Sequence, residues 1–381
     1  MKINYHQLSI LVFMSFIGLK FLALPGWMYV ESGNMSWLVA LVLMIVDGLF
    51  ALLILDLLKK SGNKNIYEFM KEILGTVVAK IILLLFVAKL LIVIAILGKS
   101  LEFFIIENLY EDINWFAVGV PVMLLSGYMI YKGIRNIARV MEMFWVIVIC
   151  ACLYIAFKSF SGVDPLVYLP MFKDGAKPLF ESAFVHINWF GSSVFMFMLF
   201  GSVSLEKNKK TNIAWFILGA ILLVQLLMFV FYGLFDETSP LHQFCLSDIS
   251  QFTMDRSSVA ELSWLVVSIW IVAQLTIFAM YGYSCVRAIM LLFNIKNPAF
   301  GILFIYSYVL FWGIITQIQL KPERFLYMPY ASVITITCQY VVPILLSVAY
   351  FFHEKQKNKK DNKSKSNKNS KDVLVGETWK S

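Results

Sequence analysis

Residues 17–26 read IGLKFLALPG, from Ile17 to Gly26, and they lie inside an apolar run that begins near Gln7. Glycine loosens a helix backbone, proline removes an amide donor, and lysine carries a charge, so each harms a helix in lipid. Gly18 and Pro25 therefore bound a candidate break in the first hydrophobic segment. Irregular backbone at membrane depth is tolerated only where it is buried in protein or lines a cavity. The break thus implies a bundle of helices around it.

The composition agrees. Of 381 residues, 60% are hydrophobic and 15% charged, whereas a soluble domain is roughly half apolar and a quarter charged. The balance predicts an all-α integral membrane protein. The net charge of +8 is weighted toward the C-terminal tail from Lys355 onward. No basic, aromatic-interleaved soluble domain accompanies it, so a nucleic-acid partner is not expected. Cys150, Cys152, Cys245, Cys285 and Cys338 form no disulfide framework. Cys150 and Cys152 point to different sides of a helix, so they make a poor metal site. The first run has a weak basic start (Lys2) and no small-residue cleavage site before the next segment, which reads as a retained helix rather than a signal peptide.

Segments of about 20 apolar residues span a bilayer. Candidates fall near 7–29, 35–58, 77–101, 114–131, 138–157, 179–202, 212–235, 259–288, 298–318 and 328–352, about ten helices in all. Loop charges supply an independent reading, because Lys and Arg favour cytoplasmic loops. Lys59, Lys60, Lys64 and Lys71 follow the second segment; Lys132, Arg135 and Arg139 follow the fourth. Lys207, Lys209 and Lys210 follow the sixth, and Arg287 and Lys296 the eighth. The alternate loops carry Glu31, then Glu107, Glu111 and Asp112, then Asp236, Glu237, Asp248 and Asp255. The loops at 158–177 and 321–324 weaken this alternation without reversing it. Both termini are expected in the cytoplasm. Residues 1–352 form the membrane domain, and residues 353–381 a basic, disordered tail, read either as a solubilising tail that fixes topology or as a segment attracted to anionic lipid.

Ionisable groups within spanning segments usually face a bundle interior. Here they are Lys20, Asp47, Lys89 and His186, with Asp56, Lys99 and Glu142 nearer the ends. At a rise of about 1.5 Å per residue, Lys20, Asp47, Lys89, His186 and Asn188 all fall near the midplane. Asp47 is expected to pair with either Lys89 or Lys20, an ion pair or proton path, leaving the other lysine neutral or paired with a substrate carboxylate. The sixth segment has its own interruption, FVHINWFGSS (Phe184 to Ser193). If the chain is two five-helix halves, 1–157 and 158–352, the first and sixth segments correspond. Interruptions at matching places in two halves point to a midplane binding site. There is no phosphate-binding loop, metal-ligand cluster or nucleophile–base signature, so neither an enzyme nor a cofactor or metal is expected.

These residues resemble a known group. GLKFLALP is similar to the G-x-G-x-x-x-x-P element in the first helix of amino acid–polyamine–organocation permeases. A closer resemblance, over about residues 5–352, is to the spore germination permease family. It is carried by Gly18 and Pro25, Ser36-Trp37, KGIRNIAR (Lys132 to Arg139), DPLVYLP (Asp164 to Pro170) with Gly175 and Pro178, and Trp270 with Tyr281. The resemblance implies a five-plus-five inverted repeat with helices 1 and 6 unwound at the ligand. It further implies a germinant-receptor B subunit that senses an amino acid or sugar beside an A subunit and a lipoprotein C subunit in the spore inner membrane. By the resemblance, Gly18 and Pro25 match the helix 1 motif and Phe190-Gly191 the helix 6 break; with the polar residues at the midplane, the expected ligand-binding positions are Gly18, Leu19, Lys20, His186, Asn188, Gly191 and Ser192. Lys20 stands where the family usually has a second glycine. Two other functions fit the same residues: a proton-coupled amino acid permease, with Lys20, Asp47 or His186 in the proton path, and a structural or ion-conducting subunit.

Overall fold

The computed structural model describes residues 2–21, 24–109, 115–169, 172, 175–204, 210–254, 260–316 and 329–357. The tail from Asn358, the loop at 321–324, and Glu111, Asp112, Lys207, Lys209 and Asp255 lie outside the described residues.

Helix α1 (Tyr5–Gly18) is started by a capping box: Asn4 Oδ1 accepts from Gln7 N at 2.7 Å, and Gln7 Oε1 accepts from Asn4 N at 3.2 Å. All but His6 of its residues are buried, as expected of a helix apolar on every side and placed inside a bundle. It stops at Gly18. Helix α2 (Leu24–Ser32) resumes the span with Pro25 in its first turn, where a missing amide removes no intrahelical bond. A short turn at Gly33–Met35 leads into α3 (Ser36–Ser61).

Between the second and third spans, where the sequence predicts only a basic loop, lies α4 (Ile66–Leu74). Its Asn65–Glu68 capping box and its buried face of Ile66, Phe69 and Met70 make it an amphipathic surface helix. Next come α5 (Thr76–Leu109), α6 (Trp115–Lys132) and α7 (Ile134–Ser159). Gly133, at φ +91°, makes the sharp turn between α6 and α7, a conformation glycine adopts without a Cβ clash.

The sixth span is irregular. Helix α8 (Lys177–His186) passes into a tight turn at Ile187–Trp189, then extended Phe190, then Gly191 at φ +83°, and then a 3-10 run at Ser192–Leu199. After it come α9 (Lys210–Phe235), the short α10 (Cys245–Met254), α11 (Ala260–Phe293) and α12 (Pro298–Thr316). The tenth span is α13 (Pro329–Ile336), a π turn at Thr337–Val341, and further helix to residue 357.

Among the described residues, seven helical stretches are long and apolar enough to cross a membrane, and three shorter apolar helices, Tyr5–Gly18, Phe116–Lys132 and Pro298–Phe311, accompany them. Together they cover all ten segments expected from the sequence. Helix α11 is central: it packs against α5, α7, α12, α6, α10, α1 and the 192–199 run. Large apolar side chains such as Phe157 (81% exposed), Leu124 (71%) and Leu303 (68%) lie on the outside. A surface of this kind suits hydrocarbon rather than water. The start of α1 and the end of the sixth span meet, with Ile3 N donating to Ser202 O at 2.9 Å and Ser204 N to Ile3 O at 3.0 Å. The two interrupted spans are thereby tied together at one end, which brings their breaks alongside each other.

Candidate functional site at two interrupted helices

The break in the first span places Lys20 in a turn whose amide donates to Ile17 O at 3.3 Å. Gly18 lets this turn lie against α11: a Cβ there would sit 2.8 Å from Ile277 Cδ1. The carbonyl freed at the end of α1 is recovered by a side chain, since Gln274 Nε2 donates to Gly18 O at 2.7 Å. Phe21 then packs on Trp270, with ring centroids 5.6 Å apart. Two residues of α11 thus hold the shape of the break.

The Lys20 side chain is wholly buried, as is Asp47 from α3. Lys20 Nζ lies 3.6 Å from Asp47 Oδ2. It donates to Trp189 O at 3.0 Å and to Ser192 Oγ, and stands 4.7 Å from the centre of the Phe190 ring. Asp47 Oδ2 in turn accepts from Ser192 N at 3.2 Å. Removing two charges from water costs several kcal/mol for each, so such a pair persists only with good geometry and further hydrogen bonds. Here the two interruptions and α3 supply them.

The sixth-span break is built for this. Trp189 ends a tight turn, which leaves its carbonyl to face Lys20 rather than a helical amide. Gly191 takes a left-handed conformation and has Gln339 packed where a Cβ would be. Gln339 Nε2 donates to Phe190 O, and Tyr281 OH donates to Ser192 O at 2.9 Å. Gln339 itself sits in the π turn of the tenth span, a distortion often found at functional sites.

Asp47 pairs with Lys20 and not with Lys89. Lys89 is buried on α5 at a similar depth but turns toward the tenth span, where Nζ donates to Thr335 Oγ1 at 3.5 Å. Asn188 is also drawn to that span, donating to Ser332 Oγ at 2.7 Å. His186 is buried at the last turn of α8. Of the expected ligand positions, Gly18, Leu19, Lys20, Gly191 and Ser192 lie at the two breaks, His186 lies in the last turn of α8, and Asn188 faces the tenth span.

Gln274, Thr335 and Gln339 were not anticipated. The signal for two of them was present as ITITCQY (Ile334 to Tyr340), a polar run in an otherwise apolar segment. Three polar atoms at the junction, Asp47 Oδ1, Ser193 Oγ and Gln339 Oε1, are buried with no hydrogen-bond partner among the described residues. Such atoms are costly unless something satisfies them. Among the described residues, no group of three His, Cys, Asp or Glu side chains is placed to hold a metal ion.

On the acidic-loop side, Tyr29 OH donates to Asp236 Oδ1 at 2.6 Å and Tyr232 OH to Pro25 O at 2.9 Å. These contacts fasten α2 below the break. Nearby, Asp248 on α10 accepts from Phe244 N at 3.1 Å and lies 3.5 Å from His242 Nδ1. Burial pushes its carboxyl up to about 7.

The chain is similar to known germination proteins. The family profile described as "Spore germination protein" matches residues 2–323. Spore germination protein KB of Bacillus subtilis (strain 168) is 24% identical over 306 residues, covering 78% of this chain and 80% of the relative. Spore germination protein YndE of the same organism is 24% identical over 215 residues, covering 54% of this chain and 57% of the relative. With a match over most of its length and helices apolar enough to span a bilayer, the chain belongs to the spore germination permease family of helical membrane proteins.

Proposed function

We infer that this protein is the B-type membrane subunit of a germinant receptor, and that it senses a small nutrient, an amino acid or a sugar, at the junction of its two interrupted helices. The observation that carries this reading is the buried Lys20–Asp47–Ser192 cluster, which links both breaks and leaves Asp47 Oδ1, Ser193 Oγ and Gln339 Oε1 for a polar ligand. Membership of a spore germination family supplies the biological context. On this reading the halves 1–157 and 158–352 form a five-plus-five inverted repeat, with both termini on the cytoplasmic side of the spore inner membrane. The matching irregularity of the first and sixth spans supports that division. A larger A subunit and a lipoprotein C subunit are the partners, and neither catalysis nor a cofactor is required.

Sensing requires that the nutrient bind two conformations unequally. The bridge between the breaks supplies a device for this, because a ligand that repartners Asp47 or Ser192 shifts both spans at once. Coupling to the partner subunits then follows from motion of the sixth span. Buried Asp47 and Lys89 also suit a proton-coupled amino acid permease, and uptake separates the two readings. Spores carrying Lys20→Gly should show a changed choice or potency of germinant relative to wild type. An unchanged germination profile, together with concentrative uptake by the purified protein in liposomes, would favour the permease.

A further inference from the structure

We propose that Lys20 is a built-in cation: its ammonium fills an oxygen-lined cation position at the helix junction, so this arrangement needs no inorganic cation or ligand ammonium there. The position has the features of a cation site. A backbone carbonyl (Trp189 O, 3.0 Å), a hydroxyl (Ser192 Oγ) and a carboxylate (Asp47 Oδ2, 3.6 Å) converge on Nζ, and the face of Phe190 lies 4.7 Å away. Carbonyls exposed at interrupted spans are a general means of holding cations inside membranes, and an aromatic face adds to the attraction. Trp189, Phe190, Ser192 and Asp47 are all buried to 97% or more, so the position is shielded from bulk solvent.

What differs here is the source of the charge. It arrives on a four-carbon stem from the other break, not from solution. The tether fixes the charge covalently to the first interruption, and hydrogen bonds to Trp189 O and Ser192 Oγ hold it to the second. The joined arrangement of the two breaks is therefore stabilised at any concentration of sodium or potassium. A ligand that binds beside Lys20 also finds the ammonium position already occupied, and must engage the remaining oxygens of Asp47, Ser193 and Gln339. Lys89, the neighbouring buried cation, is held apart from this centre by its contact with Thr335.

Truncating the stem should uncover the site. Full-length protein purified in detergent would be compared as wild type, Lys20→Ala and Lys20→Ala/Asp47→Asn. Thermal unfolding would be followed in sodium, methylammonium or N-methylglucamine chloride at one ionic strength. The proposal expects a saturable rise of several degrees for Lys20→Ala in sodium or methylammonium over N-methylglucamine. It expects no such rise in wild type or in the double variant. An equal response of wild type and Lys20→Ala, or a response that survives Asp47→Asn, would overturn it. Should Lys20→Ala not fold, wild type still decides: a sodium-specific rise in its unfolding temperature would mean that an external cation occupies the junction. Neither readout depends on germination, so the proposal and the sensing function fail separately.

Discussion

Gly191 is the residue on which the sixth-span break turns, and replacing it with alanine gives a quantitative check on the site. Two costs follow from the structure. First, φ of +83° is a left-handed conformation, which costs a non-glycine residue about 1 kcal/mol or more. Second, the new Cβ would occupy the space of the Gln339 side chain. Moving Gln339 breaks its bond to Phe190 O and leaves buried polar groups unpaired, at about 1–3 kcal/mol. Gly191→Ala should therefore destabilise by about 2–4 kcal/mol. In a Gln339→Ala background the collision is absent and only the backbone cost of about 1 kcal/mol remains. The two substitutions should show a coupling of roughly 1–3 kcal/mol in a double-mutant cycle, well beyond the ~0.5 kcal/mol seen for independent sites. Equilibrium unfolding in detergent micelles would measure it. A Gly191→Ala penalty that is the same in both backgrounds would refute the packing of Gln339 on the break.

Two other glycines should behave oppositely. A Cβ on Gly26 would lie 2.8 Å from Ser239 O and 2.9 Å from His242 O, both backbone atoms, so Gly26→Ala should cost about 1–3 kcal/mol by overpacking. A Cβ on Gly219, inside α9, would lie 3.8 Å from Phe13 Cε2 of α1, an ordinary contact, so Gly219→Ala should stabilise by up to about 1 kcal/mol through helix propensity; thermal unfolding separates the pair. The Asp248 carboxyl, raised from 3.8 to about 7 by burial, stays protonated in the folded state where the unfolded chain has already ionised. Stability should then fall as pH rises from about 4 to 7, and Asp248→Asn should flatten that slope in unfolding scans across the same window.

The positions of the spans were legible because apolar runs of bilayer length carry a strong signal. The two breaks were legible for a local reason: Gly18 with Pro25, and Phe190-Gly191-Ser192, disfavour continuous helix wherever they occur. The partner of Asp47 was not. Sequence position fixes depth along a span, and Lys20 and Lys89 share that depth. It does not fix which face of α5 turns inward, and Lys89 proves to face Thr335. Gln274 and Gln339 were harder still, since one glutamine in an apolar helix more often packs than serves a site. Their roles depend on carbonyls of Gly18 and Phe190 that become available only once the breaks have formed. The amphipathic α4 was passed over because the length test for spans excludes a nine-residue helix.

The central claim is that a nutrient binds where the two interruptions meet, at Asp47 and Ser192. The most direct test is equilibrium binding of the germinant, once identified from spores carrying this receptor, to purified wild type and to folded Asp47→Asn. A charged hydrogen bond lost at such a site weakens binding by about 1.5–3 kcal/mol, or roughly 10- to 100-fold in Kd. A weakening of that size for Asp47→Asn is the predicted result. An unchanged Kd would place the nutrient elsewhere and contradict the account.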